Sequence, residues 1–382
     1  MMKQARKIKV VIAMDSMKGS LSSLEAGRAA AEGIRLARPE ARIVVKPLAD
    51  GGEGTVEALT AGLGGEFVTV PVHGPLGEAV TARYGILPDG TAVMEMAEAS
   101  GLTLVPGDRL DPWRASTYGT GEMIRDALGR GCRDFLIGIG GSATTDGGTG
   151  MLAALGYEFL DSRGQPAAPG IGELDRIDRI CAANRLPELE QCSFRIACDV
   201  SNPLLGEQGA VWVYGPQKGV REEEKPVLDA KMLHFAEKTV EYTGKDCRNT
   251  PGAGAAGGLG FAFLSYFPEA RLQPGAELVL EILGLEREIA EADFVVTGEG
   301  RLDAQTSMGK APAGIAQIAK KYGKRVIAFA GQIAEDAGAC RQAGIDACFS
   351  ILPGVLSLEE AMHPETAEKN LKRTAEQVFR LL

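Results

Sequence analysis

Asp50, Glu53, Asp146, Asp199, Glu299 and Asp303 all fall in loops, as do the cations Lys18, Lys218, Arg301 and Lys310. Carboxylates alone repel a phosphate. Carboxylates that share a divalent ion, with a few fixed cations nearby, form the apparatus of phosphoryl transfer, where catalysis is positioning plus charge neutralisation. No Ser–His or Cys–His arrangement accompanies them, so acyl transfer has no evident nucleophile and base.

The stretch LADGGEGTVEAL sets Asp50 and Glu53 among Gly51, Gly52 and Gly54 at the head of a helical pattern. Asp with Glu three residues later resembles a capping box. A cap does not need three glycines, which let backbone N–H groups approach a ligand while carboxylates hold a hard cation. MDSMKGS places Ser16 and Lys18 in a Ser/Gly loop ahead of a helix, a natural anion site.

In GIGGSATTDGGTG, Gly138, Gly140 and Ala143 match a dinucleotide fingerprint, with Glu158 or Asp161 in the acidic position. The hydroxyls of Ser142, Thr144 and Thr145 beside Asp146 suit a phosphate nest next to a metal better. A second match at Gly252, Gly254 and Gly257 follows a polar stretch rather than a strand and reads as a close-packed helix start. ACDVSNPLLG puts Asp199 and Asn202 just past a strand. VVTGEGRLDAQTSMGKAP does the same for Glu299, Arg301 and Asp303, and it lacks the first glycine and final Ser/Thr of a Walker A loop. Two rivals to a kinase remain: an NAD(P)-dependent dehydrogenase of a small hydroxy acid, and a non-catalytic module that binds a small acid.

The elements that must position these loops alternate. IKVVIAM, ARIVVKPLA and GEFVTVPV read as strands separated by helical patterns, the βαβ grammar of a parallel sheet. A hairpin follows across Asp89-Gly90, and DFLIGIG and FRIACDV are strands of the Gly-rich middle. ADFVVTG, KRVIAFAG and IDACFSI then resume the alternation before an amphipathic C-terminal helix. The expected fold is α/β: a discontinuous Rossmann-like parallel-sheet domain, 1–72 and 285–382, with an inserted second α/β domain, 73–284. The chain's 382 residues suit two domains. Its net charge of −10 argues against a nucleic-acid surface. Seven cysteines without a CxxC pair read as reduced thiols, and three distant histidines offer no zinc spacing. No signal peptide or membrane span is visible, so a cytoplasmic location is expected.

Taken together and in order, DSMKGS, LADGGEGTVEAL, GGSATTDGGTGML, ACDVSNPLLG, GPQKG, GAGAAGGLG and TGEGRLDAQTSMGKAP closely resemble the type-1 glycerate kinase family. The similarity runs from about Ile8 to the C-terminal helix; Met14 and Met17 stand where the family commonly has Pro and Phe. The resemblance implies ATP-dependent, Mg²⁺-assisted phosphorylation of D-glycerate in a cleft enclosed by the two domains, with 2-phosphoglycerate favoured over 3-phosphoglycerate. On that reading Asp50, Glu53, Asp146 and Glu299 hold the metal, and Gly140, Gly141, Ser142, Thr144 and Thr145 hold the triphosphate. Ser16, Lys18, Arg301 and Asn202 hold glycerate, an Arg gripping a carboxylate in a fork. Asp199 or Asp303 takes the acceptor proton, with Lys18 assisting. The partners are then D-glycerate and ATP, with a homodimer left open.

Overall fold

The computed structural model describes residues 7–49, 51–307 and 311–382. Asp50 and Lys310, singled out above, lie outside the described residues. The chain divides into two compact units, Met1–Asp50 with Glu57–Gly64 and Ala276–Leu382, and Gly51–Val56 with Gly65–Gly275.

The first unit is built on a five-stranded sheet in which every pairing is parallel. Lys9–Ile12 lies between Arg42–Val45 and Phe294–Leu302; Arg325–Ile333 and Ala347–Ser350 complete the sheet beyond Phe294–Leu302. Counted along the unit, the strand order is 2-1-3-4-5, one of the two doubly wound arrangements. These strands are apolar runs because the sheet is covered. On one face Val10, Ile12, Val296 and Phe329 pack with Ile34 of helix Ser23–Ala37 and with Leu371 and Phe379 of helix Pro364–Leu381. Gly33 permits that helix pairing, since a Cβ there would stand 2.1 Å from the Lys372 carbonyl. Ser22 and Glu25 form the capping box that their spacing announces.

The strand order reverses between Lys9–Ile12 and Phe294–Leu302. In open α/β sheets, ligands bind at such a switch point, outside the carboxyl ends of the strands. Both loops that leave these two strands carry residues singled out above.

The second unit holds a six-stranded mixed sheet, in order Arg271–Gln273, Ser193–Ala197, Asp134–Gly138, Ala92–Glu95, Ala79–Ile86 and Glu66–His73. The first four are parallel, and the hairpin across Asp89-Gly90 joins the fourth and fifth antiparallel, Gly90 supplying a φ of 86°. One strand departs from expectation. Glu66–His73 does not continue the first unit's parallel sheet; it pairs antiparallel along its whole length with Ala79–Ile86. The reason is in its pattern: it is a half-exposed alternating run, not a continuously buried one, and Pro71 is tolerated on an edge strand. The second unit comprises Gly65–Gly275 together with Gly51–Val56. Its core gathers Tyr84, Phe135, Phe194, Phe235, Phe261 and Phe263. Among the described residues no helix is long and apolar enough to cross a membrane.

Candidate functional site

The switch point of the first unit opens into a cavity of ≈ 680 Å³. Asp15, Ser16, Lys18 and Ser20 reach it from the loop after Lys9–Ile12; Glu299, Arg301 and Asp303 reach it from the end of Phe294–Leu302. The Asp15 N–H donates to the Gly298 carbonyl at 2.8 Å, so the two chains stay side by side beyond the first strand. Gly298 is required there, because a Cβ would sit 2.1 Å from the Phe329 carbonyl. The loop turns back at Gly19, whose φ is 76°.

Thr306 orients two carboxylates at once. It is fully buried, and its Oγ1 donates to Glu299 Oε1 at 2.6 Å. Its N–H donates to Asp303 Oδ1 at 3.3 Å, and the Asp303 N–H donates to Thr306 Oγ1 at 3.2 Å. Arg301 Nε stands 3.6 Å from Asp303 Oδ2, but its side chain is 60% exposed and the pair is screened. The Ser20 hydroxyl is buried without a hydrogen-bond partner among the described residues. Ile351, Leu352, Leu356, Leu358 and Met362 form an apolar wall.

Ser16, Lys18, Glu299, Arg301 and Asp303 are thus brought together, along with Asp15 of the same MDSMKGS loop. Among the described residues no group of three or more His, Cys, Asp or Glu side chains forms a ready metal cage. Mg²⁺ is typically held by one or two carboxylates plus substrate phosphates rather than by an all-protein cage. Carboxylates lining one cavity beside Lys18 and Arg301 fit an ion that arrives with a nucleotide.

The second unit carries a smaller pocket, ≈ 200 Å³, walled by Gly140, Gly141 and Ser142, by Asp199, and by Tyr214 and Lys218. Lys218 is 1% exposed, and its Nζ donates to Ser142 Oγ at 2.7 Å and to the Thr144 carbonyl at 2.6 Å. Burial pulls its ammonium down to about 7, against the opposing charge of Asp146. The glycine turn beside this pocket is explained by packing. A Cβ at Gly51 would lie 2.4 Å from Gly275 Cα, and one at Gly138 would lie 2.5 Å from the Gly51 carbonyl. Ala256 forms part of the wall with φ 51°, the one non-glycine residue at positive φ among those described.

Other expected residues behave differently. Asp146 is fully buried, and its carboxylate accepts from Thr117 N–H and Oγ1 at 2.8 Å and from the N–H groups of Gly148 and Gly150 at 3.1 Å. It ties the Gly-rich loop to Thr117, and four donors leave little room for a metal. Burial raises its pKa in spite of those bonds. Thr144 and Thr145, within the loop, are fully buried and outside the pocket wall, their hydroxyls unpartnered among the described residues. Asn202 also stands outside the wall: its Nδ2 donates to the Gln208 carbonyl, and its Oδ1 accepts from Tyr214 OH at 2.6 Å. It positions Tyr214. Asp199 lines the pocket and accepts the Gly275 N–H at 2.8 Å.

Glu53 is exposed and precedes helix Thr55–Leu63 instead of lying inside its first turn. The helix is capped from far along the chain, where Glu95 Oε1 accepts the Val56 N–H at 2.9 Å. Glu95 is 9% exposed; burial, with help from the charges of Glu98 and Glu53, pushes its carboxyl up to about 7. Sequence reasoning missed it, since nothing in VMEMA marks a partner 39 residues away.

The dinucleotide reading fails on geometry. After Asp134–Gly138 the chain runs through a loop and enters a helix only at Thr149, whereas the fingerprint needs a helix opening directly from its glycines. At the second match, Gly257 packs against Thr144, where a Cβ would stand 2.1 Å from the carbonyl.

Comparison with known proteins places this geometry. The model of the glycerate kinase family matches residues 10–382. A protein named glycerate kinase from Bacillus subtilis (strain 168) is 47% identical, over 97% of each chain. A glycerate 2-kinase from Escherichia coli (strain K12) is 47% identical, over 93% of each. A crystal structure of a provisionally named glycerate kinase 2 from Salmonella typhimurium LT2 superposes with a TM-score of 0.90 at 43% identity, covering 98% of both chains.

Proposed function

Because the chain belongs to the glycerate kinase family and is therefore a phosphotransferase with an alcohol acceptor, we propose that it transfers the γ-phosphoryl group of ATP to the 2-hydroxyl of D-glycerate with Mg²⁺. The observation that carries the nucleotide half of this reading is the switch-point cavity of the first unit. Carboxylates, Lys18 and Arg301 line it together with the apolar Ile351, Leu352, Leu356, Leu358 and Met362. A nucleotide asks for that combination: cations for phosphates, carboxylates for the accompanying ion, apolar surface for a base.

Mg²⁺, when bound, neutralises charge on the transferring phosphoryl group. Glu299 and Asp303 are the residues that would hold it, their carboxylates kept in place by Thr306. Lys18 and Arg301 then meet phosphate oxygens, and the Ser20 hydroxyl, unpartnered among the described residues, donates to one of them. The preference for the 2-hydroxyl is supported by the Escherichia coli relative, which is named a glycerate 2-kinase.

A coupled assay of ADP release tests the reading. The expected result is turnover that needs both Mg²⁺ and D-glycerate, with no saturable change in NAD(P)H fluorescence. ADP release indifferent to D-glycerate would contradict it.

A further inference from the structure

The small pocket of the second unit has a charge pattern that the nucleotide half of the reaction does not use. Among the described residues, Lys218 and Asp199 are its two charged walls; the remainder is glycine backbone and neutral side chains. The Lys218 ammonium is buried, yet its two hydrogen bonds go to a hydroxyl and a carbonyl, both neutral. Neither bond brings charge, and burial outweighs the attraction of Asp146, so a ligand that brings one negative charge offsets the remaining cost. Two of its three N–H donors are committed, which leaves one for such a ligand.

We propose that this pocket seats the acceptor acid, with Lys218 bonding its carboxylate and Asp199 receiving the proton of its reacting hydroxyl. The inference rests on the glycerate kinase reading and specifies it. It also reverses the expectation that Ser142 and its neighbours hold the triphosphate.

Size decides between the two occupants. At ≈ 200 Å³ the pocket is smaller than the roughly 300–1,000 Å³ of sites that take drug-sized ligands. A three-carbon acid fits within it and a nucleoside triphosphate does not, whereas the ≈ 680 Å³ cavity of the first unit falls inside that range. Charge agrees, since one buried ammonium balances one carboxylate and leaves a polyphosphate under-neutralised. The pocket is also held in shape: Asn202 fixes Tyr214, and the wall keeps Ala256 in a left-handed conformation that costs energy to hold. In the transfer step the acceptor O–H proton passes to Asp199, the acceptor oxygen bonds to the γ-phosphorus, and the bond from that phosphorus to the bridging oxygen of ADP breaks.

Steady-state kinetics of Lys218→Met test the anchor. The expected result is a KM for D-glycerate raised at least about tenfold, the loss of a charged hydrogen bond, with the KM for ATP nearly unchanged. Isothermal titration with D-glycerate alone should show the same loss, while ADP with Mg²⁺ binds as in the unaltered chain. A raised KM for ATP with an unchanged KM for D-glycerate would overturn the proposal, as would no change in either. Should Lys218→Met not fold, Ser142→Ala decides, with a smaller rise in the D-glycerate KM expected and a change confined to ATP overturning it.

Failure of the family reading looks different. The unaltered chain would then turn over another small hydroxy acid, such as glycolate, in place of D-glycerate. The effect of Lys218→Met on that acid's KM would still uphold or overturn the anchor. No turnover of any small hydroxy acid would overturn both.

Discussion

Thr306 bonds both Glu299 and Asp303, so these carboxylates are held as a pair. If they carry the ion and the charge of transfer, Glu299→Gln and Asp303→Asn should each lower kcat by about 10²–10⁴ while the circular dichroism spectrum is unchanged. A change in affinity alone would reduce the site to a binding module. Ala256 makes a separate prediction. Its φ of 51° is strained for a residue with a Cβ, so Ala256→Gly should stabilise the fold by about 1 kcal/mol, read as a higher Tm. At this scale the sequence was a partial guide. Ser16, Lys18, Glu299, Arg301 and Asp303 could be placed at strand ends, where the structure has them line one cavity, because strand ends can be recognised from apolar runs. Asp146 could not be told from a metal ligand, because an acid in a glycine-rich loop is spelled the same way whether it faces solvent or ties the loop inward. The roles of Lys218 and Glu95 depend on partners 76 and 39 residues away, a distance that spelling does not encode.

Among the elements, helix Thr55–Leu63 depends on a carboxyl that is neutral more often than its type implies. The Glu95 pKa rises from 4.5 to about 7, chiefly through burial. Between those values the folded chain keeps a proton that the unfolded chain releases, so stability should fall as pH rises from about 4.5 to 7. The loss is on the order of 3 kcal/mol for a shift of this size. Glu95→Gln should flatten that slope and be more stable than the parent at pH 7, measured by urea unfolding at several pH values; an unchanged slope would assign the effect elsewhere. Gly298→Ala tests the strand pairing beneath the first unit's cavity. Its Cβ would meet the Phe329 carbonyl at 2.1 Å, so a loss of at least about 1–3 kcal/mol is expected. Strand existence was legible throughout, from runs such as IKVVIAM and ADFVVTG. Partnership was less so, as Glu66–His73 shows: a strand's own pattern tells how many of its faces are buried, not which neighbour it joins.

On the scale of the whole chain, the alternation of strands and helices at both ends announced a parallel-sheet unit interrupted by a long insertion. The order 2-1-3-4-5 was not readable, because it is set by which helices cover which face of the sheet. That order puts the loop after Lys9–Ile12 and the end of strand Phe294–Leu302, which carries Glu299 and Arg301, at one switch point. We propose that the chain phosphorylates D-glycerate at its 2-hydroxyl. The most direct test is phosphorus NMR of the product formed by the purified chain from ATP, Mg²⁺ and D-glycerate. The account predicts 2-phosphoglycerate and ADP in equal amounts; 3-phosphoglycerate, or inorganic phosphate with no phosphorylated acid, would contradict it.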